Sequence, residues 1–239
     1  MPTRSFLGVP CKAWLLLTAG PMLFLLGIVG ASIFLSVREV PEAQIPERVT
    51  ALVPHILLGV LVCLAALMAR FVSQVRAVWL LPDRSKALSD VMIGLLAGFL
   101  LAILYLYWLA PLLETLQRLF GDFVPPGAVL PAVSSSIGLF FIANVLLAPL
   151  VEETLYRGIA IPLFTTHLGA LRAVALSCML FGFLHWAGGL WYMLLTGVVA
   201  GGVFAGLFYW RGGVLAPFSA HLALNLIEFI SAWHVPNQA

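Results

Sequence analysis

Charged side chains are scarce in this sequence. Only 9% of its 239 residues are Asp, Glu, Lys or Arg, whereas 62% are hydrophobic, and an ordinary soluble domain carries about 25% charged residues. This deficit excludes an ordinary soluble domain, and the lack of a basic patch interleaved with aromatic residues excludes a nucleic-acid partner. The three cysteines, Cys11, Cys63 and Cys178, have neither ligand nor disulfide spacing, so we expect them to be packing residues.

Long uncharged runs take the place of the missing charge. A helix that crosses a bilayer needs about 20 apolar residues, and one run, Ala173–Trp210, is long enough for two crossings with a break at Ala187–Gly189. The sequence therefore predicts an all-α, polytopic transmembrane helical bundle with about seven spans. The six runs are Ala13–Val37, Val49–Ala69, Val91–Leu113, Phe123–Val151, Ala173–Trp210 and Gly212–Ile227.

The basic residues indicate how the bundle sits in the membrane. The first run is longer than the core of a signal peptide, about 7–15 residues, so we expect it to be a retained span. Nine of the twelve Lys and Arg residues fall on the side that holds the N-terminus, which favours a cytoplasmic N-terminus by the positive-inside rule. The compact length fits the inner membrane of a prokaryotic cell.

Two stretches between the runs have their own predictions. The segment Arg70–Asp90 is rich in basic residues and is expected to form a cytoplasmic loop. The segment Leu112–Phe120 is expected to form a short interfacial helix, ended by Gly121 and by the Pro125–Gly127 breaker. The longest polar connection, Ser36–Arg48, is too short to fold as a soluble domain.

Three charged residues stand at the end of one long apolar run. Glu153 and Arg157 are four residues apart, so they share one helical face and are expected to form a structural ion pair. Glu152 is rotated about 100° from Glu153 and is free to face something else. The simpler alternative is that all three mark the interfacial end of a helix.

Further polar residues interrupt two later apolar helices. His185 follows Phe181 by one turn, and His221 and Asn225 are spaced to share a face. They could act as hydrogen-bonding glue between helices. However, polar groups in hydrocarbon must find partners, so convergence on one cavity is the low-cost arrangement. Glu228 extends the same face, and we expect it to mark the point where the last helix leaves the membrane; the alternative is a carboxylate that orients Asn225.

Taken together, Glu152-Glu153-x-x-x-Arg157, Phe181-x-x-x-His185 and His221-x-x-x-Asn225 resemble the three motifs of the CPBP family, the CAAX proteases and bacteriocin-processing enzymes also called the Abi family. The resemblance covers roughly residues 131–230, and the glycines of Gly197–Gly206 are also similar to the family. It divides the chain into N-terminal transmembrane helices without a recognisable motif (1–130) and a CPBP-like catalytic core (131–232).

The resemblance implies an intramembrane endopeptidase. Its substrate would be a membrane-associated or C-terminally anchored protein or peptide, whose identity and prenylation stay open. Glu152 would activate a water as general base, His185 would help hold that water, and His221 and Asn225 would stabilise the oxyanion. Glu153 and Arg157 would fix the helix that carries the base.

Two alternatives to this interpretation remain open. The three motifs contain no His-x-x-x-His helix and no third histidine, so we expect no metal or other cofactor, but Glu152, His185 and His221 could instead form a zinc set. The non-enzymatic alternative is an accessory or immunity protein that binds a peptide or lipid in the same cavity without cutting it.

Overall fold

The computed structural model describes residues 5–6, 8–79, 84–124 and 136–234, and this part of the chain is almost entirely helical. Two short strands, Ser5–Phe6 and Val9–Pro10, pair antiparallel before the first helix. Eight helices follow in the described residues: α1 Cys11–Val37, α2 Ile45–Met68, α3 Val72–Trp79, α4 Arg84–Phe120, α5 Ile137–Leu168, α6 Ala170–Leu184, α7 Leu190–Arg211 and α8 Leu215–His234.

Six of the described helices are long and apolar enough to cross a membrane, namely α1, α2, α4, α5, α7 and α8. Helix α6 is apolar but shorter, with 15 residues. The prediction of an all-α polytopic bundle with about seven spans is therefore confirmed. The break expected inside the longest run is also present, because a short 3-10 turn at Trp186–Gly188 and a left-handed Gly189 (φ 102°) separate α6 from α7.

Two local predictions are wrong. Leu112–Phe120 is not a separate interfacial helix, because α4 continues from Arg84 to Phe120 through a π-helical segment at Tyr105–Leu109. This π-helical segment comes just before Pro111. Pro111 has no N–H to donate and stands at the start of the last α-helical segment. The helix does end at Gly121, whose φ is 76°, whereas Pro125–Gly127 lies outside the described residues.

The expected basic loop is largely helical. It contains α3, and α4 already begins at Arg84. The indole Nε1 of Trp79 donates to Thr154 Oγ1 at 2.9 Å, which ties α3 to α5. The loop was predicted because basic residues end the apolar run. Arg and Lys are good helix formers, so basic residues end a membrane span without ending the helix.

Helix α5 is the central element of the bundle. Every residue from Val151 to Ile161 is buried, so all faces of this stretch are covered by other helices. The Tyr156 hydroxyl donates to the Leu17 carbonyl on α1 at 3.3 Å, and the Ser177 hydroxyl on α6 donates to the Tyr156 carbonyl at 2.7 Å. The enclosed position of α5 explains how its charged residues come to lie inside the protein.

Helices α4 and α8 pack unusually close together. A Cβ on Gly94 would overlap the Ala216 carbonyl oxygen, and one on Gly98 would overlap that of Ala220. Small residues at such positions let helix backbones approach in a membrane. Helix α4 therefore supports the helix that carries His221. The division of the chain into two parts at residue 130 stays a prediction.

Candidate active site

The candidate site is a cavity between α4, α6, α7 and α8, with α5 beside it. The volume of this cavity that water can reach is about 40 Å³, which is room for one or a few waters. Three of the four predicted catalytic residues, His185, His221 and Asn225, line it, whereas Glu152 does not. The polar side chains of the lining are Tyr105, His185, Tyr192, Thr196, His221, Asn225 and Glu228.

His185 stands at the end of its helix and not inside it as predicted. Helix α6 ends at Leu184, and His185 caps it with φ −91° and ψ 16°, just before the glycine-rich break. The Phe181 carbonyl can only accept, so His185 Nδ1 donates to it at 2.8 Å. This bond leaves Nε2 as the free nitrogen of the ring. Phe181, one turn earlier, packs beside the imidazole, with 4.8 Å between the ring centroids.

The free nitrogen of His185 meets the predicted general base. Its Nε2 lies 4.0 Å from Glu152 Oε2, and this buried oxygen has no hydrogen-bond partner among the described residues. Two hydrogen bonds of about 2.8 Å that meet at a water oxygen span roughly 4–5 Å. Glu152 and His185 therefore have the spacing of two acceptors that share one water.

Glu153 and Arg157 form a fully buried ion pair. Arg157 Nη1 donates to Glu153 Oε1 at 3.1 Å, and its Nη2 donates to the Gly201 carbonyl at 3.2 Å. The guanidinium also lies 4.2 Å from the centre of the Phe181 ring, where a cation–π interaction adds stability. The pair thus fixes α5 against α6 and α7.

The same carboxylate oxygen of Glu153 also contacts His221. The distance from His221 Nδ1 to Glu153 Oε1 is 2.9 Å, and the imidazole stacks on Phe204 with 4.8 Å between ring centroids. With Nδ1 engaged, Nε2 is the nitrogen left for the cavity. This contact joins residues 68 positions apart on α5 and α8, so it has no local signature in the sequence.

Asn225 is held by a backbone group. Its Nδ2 donates to the Asn144 carbonyl at 2.8 Å, which uses one of its two amide hydrogens. The second hydrogen remains for a ligand in the cavity. Asn144 contributes through its main chain, so no side-chain pattern indicated it.

Four π-helical segments in the described chain each contribute a residue to the site or its support. They are Tyr105–Leu109, Phe141–Leu147, Glu153–Ala160 and Thr196–Ala200, which supply Tyr105, the Asn144 carbonyl, Glu153 and Thr196. Such wide turns are rare and occur often at functional sites. Hydropathy does not distinguish them from α-helix, so the sequence does not predict them.

Glycines determine how closely α6 and α7 approach beside the cavity. A Cβ on Gly182 would lie 2.6 Å from the Met193 carbonyl oxygen and 3.0 Å from the Cα of Gly197. Gly197 serves close packing too, because its own Cβ would lie 3.0 Å from the Cys178 carbonyl oxygen, whereas a Cβ on Gly201 would make only ordinary contacts. Gly202 and Gly206 do not serve close packing, because a Cβ at either position would meet nothing within 4 Å.

The alternative zinc set does not fit this geometry. Among the described residues, no three His, Cys, Asp or Glu side chains are grouped so that they could hold a metal ion. Glu152, His185 and His221 are thus not arranged as a ligand set here. The metal-free chemistry stays a prediction with its own test.

The fold and the site define a class: a polytopic helical membrane protein with two histidines and an asparagine lining a small cavity, and a buried glutamate beside one of the histidines. Residues 134–227 match the family model described as type II CAAX prenyl endopeptidase Rce1-like. The resemblance to the CAAX protease family is confirmed by this match, and the matched family is one of proteases. No curated protein and no solved structure matches the chain.

Proposed function

We propose that this protein is an intramembrane endopeptidase that hydrolyses a peptide bond with a water activated by Glu152. The observation that supports it most is the 4.0 Å separation of Glu152 Oε2 and His185 Nε2. Both atoms are acceptors when the carboxylate is ionised and the imidazole carries its proton on Nδ1. A water held between them has its oxygen lone pairs directed away from both groups and towards a substrate carbonyl.

The reaction balances with these groups alone. The water oxygen bonds to the carbonyl carbon as its proton passes to the Glu152 carboxylate, which gives a tetrahedral intermediate with a negative oxygen. The carbon–nitrogen bond then breaks, and the departing amine takes a proton from Glu152 or through His185. General acid–base help of this kind contributes about 10²–10⁴-fold to a rate.

His221 and Asn225 have the donors that the negative oxygen needs. Asn225 keeps one amide hydrogen for the cavity. His221 can donate from Nε2 when it is an imidazolium, and the Glu153 carboxylate at its Nδ1 supplies the counter-charge. Fixed donors at a developing charge contribute strongly to catalysis, about 2.7–4 kcal/mol for one donor.

We also propose a substrate class, a membrane orientation and a cellular location for the enzyme. Its substrate is a membrane-associated or C-terminally anchored protein or peptide that reaches the cavity from the bilayer, and the N-terminus is cytoplasmic. Eight of the twelve basic residues support that orientation by the positive-inside rule, since the ninth on that side, Arg157, is buried inside the bundle. A prokaryotic inner membrane is the proposed location.

The test compares membranes that contain the wild type with membranes that contain Glu152→Gln, His185→Ala or Asn225→Ala at equal protein levels. New peptide termini in the membrane proteome are measured by mass spectrometry. We expect a set of cleavage products that the wild type makes and all three variants lose. Glu114→Gln is the matched control, because Glu114 is exposed and pairs with the exposed Arg118 on α4, and it should make the wild-type products.

The non-enzymatic alternative gives a different result. If the protein only binds a peptide or lipid, the membranes contain the same peptide termini with Glu or with Gln at position 152. A set of termini that Glu152→Gln leaves unchanged would therefore contradict hydrolysis by Glu152 and favour a binding role.

A further inference from the structure

Glu228 is an acidic residue of the cavity that the proposed reaction does not use. It lies on α8 one turn after Asn225, is half-buried, and lines the same cavity as His185 and His221. Its expected role was to mark the interfacial end of α8, but its place in the lining connects it to the site. It follows directly on the last residue of the family match, which ends at 227.

No described cation balances this carboxylate. Glu153 pairs with Arg157 and His221, and Asp90 pairs with Arg211, but no described Lys, Arg or His side chain forms an ion pair with Glu228. The described lining of the cavity contains no Lys or Arg at all. An ionisable residue in a membrane-spanning helix is costly and usually has a partner, and the described residues supply no cationic partner for Glu228.

Two phenol rings accompany Glu228 in the lining. Tyr105 and Tyr192 line the same cavity as Glu228, and the Tyr192 ring lies 6.0 Å from the ring of His185. Aromatic faces attract ammonium and guanidinium groups, and the attraction grows when the site excludes water. Two phenols and one carboxylate are therefore a set suited to a cation and unsuited to an anion.

We propose that Glu228, Tyr105 and Tyr192 form a subsite that binds a cationic group of the substrate, the ammonium of a lysine or the guanidinium of an arginine near the scissile bond. The inference rests on the proposed peptidase function, since it assigns a substrate class to that site. The subsite also disfavours a carboxylate, such as a free C-terminus, at this end of the cavity.

Binding to an inactive protein tests the subsite without any cleavage. Glu152→Gln in lipid nanodiscs is titrated with synthetic peptides that carry one apolar membrane anchor and differ at a single position. Each position along the peptide holds lysine in one version and norleucine, which has a similar length and no charge, in the other. We expect the lysine peptide to bind about tenfold more tightly in at least one register.

The variants assign the preference to Glu228. In Glu152→Gln/Glu228→Gln the ratio of the two affinities should fall to about one, and in Glu152→Gln/Glu228→Lys a peptide with glutamate at that position should bind better than the lysine peptide. Glu152→Gln/Glu114→Gln is the matched control and should keep the tenfold ratio. Equal affinities for lysine and norleucine in every register, or a ratio that survives Glu228→Gln, would overturn the subsite.

The outcome for the subsite is separate from the outcome for proteolysis. Loss of the lysine preference leaves the difference in cleavage products between wild type and Glu152→Gln untouched, and that difference alone decides hydrolysis. If wild type and Glu152→Gln give the same products, the peptidase proposal is wrong whatever the peptides bind.

Discussion

Glu153 Oε1 lies 2.9 Å from His221 Nδ1 and also accepts from Arg157, so one buried carboxylate oxygen connects an ion pair within α5 to the imidazole of α8. Its neighbour Glu152 makes no such bond through Oε2 and lies near His185 instead. Adjacent residues of the same type therefore have different partners. This difference gives the most direct test of the site.

We expect Glu153→Gln to lose both stability and activity, and Glu152→Gln to lose only activity. Removing the Glu153 charge leaves Arg157 buried without its counter-charge, which costs about 3–5 kcal/mol. Unfolding in detergent measures stability, and the yield of cleavage products measures activity. A Glu153→Gln protein as stable as Glu152→Gln would contradict the structural role, and Glu114→Gln should match the wild type in both assays.

Asn225→Ala should lower the turnover by about 10²–10³-fold, as the loss of one oxyanion donor does in a studied enzyme. Truncation also frees the Asn144 carbonyl, so protein levels and melting temperature are measured in parallel. His55→Ala serves as a control for polar truncation, because His55 is exposed on α2. Turnover within twofold of wild type would remove Asn225 from the mechanism.

Gly182→Ala should separate α6 from α7 and destabilise the protein by about 1–3 kcal/mol, the usual cost of overpacking. The new methyl group would lie 2.6 Å from the Met193 carbonyl oxygen. Gly202→Ala is the matched control, because nothing lies within 4 Å of its Cβ and alanine is the better helix former. The idea fails if the two substitutions have equal effects on the unfolding midpoint.

Asp122 connects the end of α4 to the start of α7. Its carboxylate accepts from the backbone N–H groups of Leu190 (2.8 Å) and Trp191 (3.3 Å), and Trp191 Nε1 donates to the Gly121 carbonyl at 2.9 Å. Partial desolvation raises the pKa of Asp122, but the hydrogen bonds that its carboxylate accepts from Leu190, Trp191, Gln117 and Phe123 outweigh it and hold the pKa below its ordinary value. The charged form is thus the one that binds the helix start.

Asp122→Ala is therefore expected to cost about 0.5–2 kcal/mol, as the loss of a helix cap does, and to do so in a pH-dependent way. A lowered folded-state pKa means that the contribution is present above the unfolded pKa of about 4 and disappears as the pH falls through the folded value. Melting temperatures of both proteins between about pH 3 and pH 7 measure this. The gap between them should be constant above about pH 5 and should narrow below about pH 4; a gap that widens on acidification contradicts the assignment.

Metal analysis tests the metal-free chemistry. Purified protein should contain far less than one zinc per chain, and a chelator should leave its cleavage rate unchanged, because the described residues offer no three-ligand group. One zinc per chain, together with activity that the chelator removes and added zinc restores, would show that Glu152, His185 and His221 bind a metal after all.

The sequence predicted what depends on local spacing and missed what depends on how helices meet. Apolar runs predicted the spans, and the four-residue interval predicted the contact of Glu153 with Arg157. The contact of Glu153 with His221 requires one particular face of α5 to meet one face of α8, which no interval encodes. Glu228 shows the same limit, since hydropathy places it near the end of a run while packing places it beside the cavity.

The close packing of α4 against α8 affects any attempt to transfer this activity to another protein. Gly94 and Gly98 lie in the motif-free half of the chain, outside the residues that match a known family, yet they set how deeply the helix of His221 and Asn225 sits. The matched segment therefore does not contain all the residues that position the site. A chimera that inherits residues 134–227 alone would carry the reactive groups without the surface against which they are aligned, so a transplant should take α4 along with it.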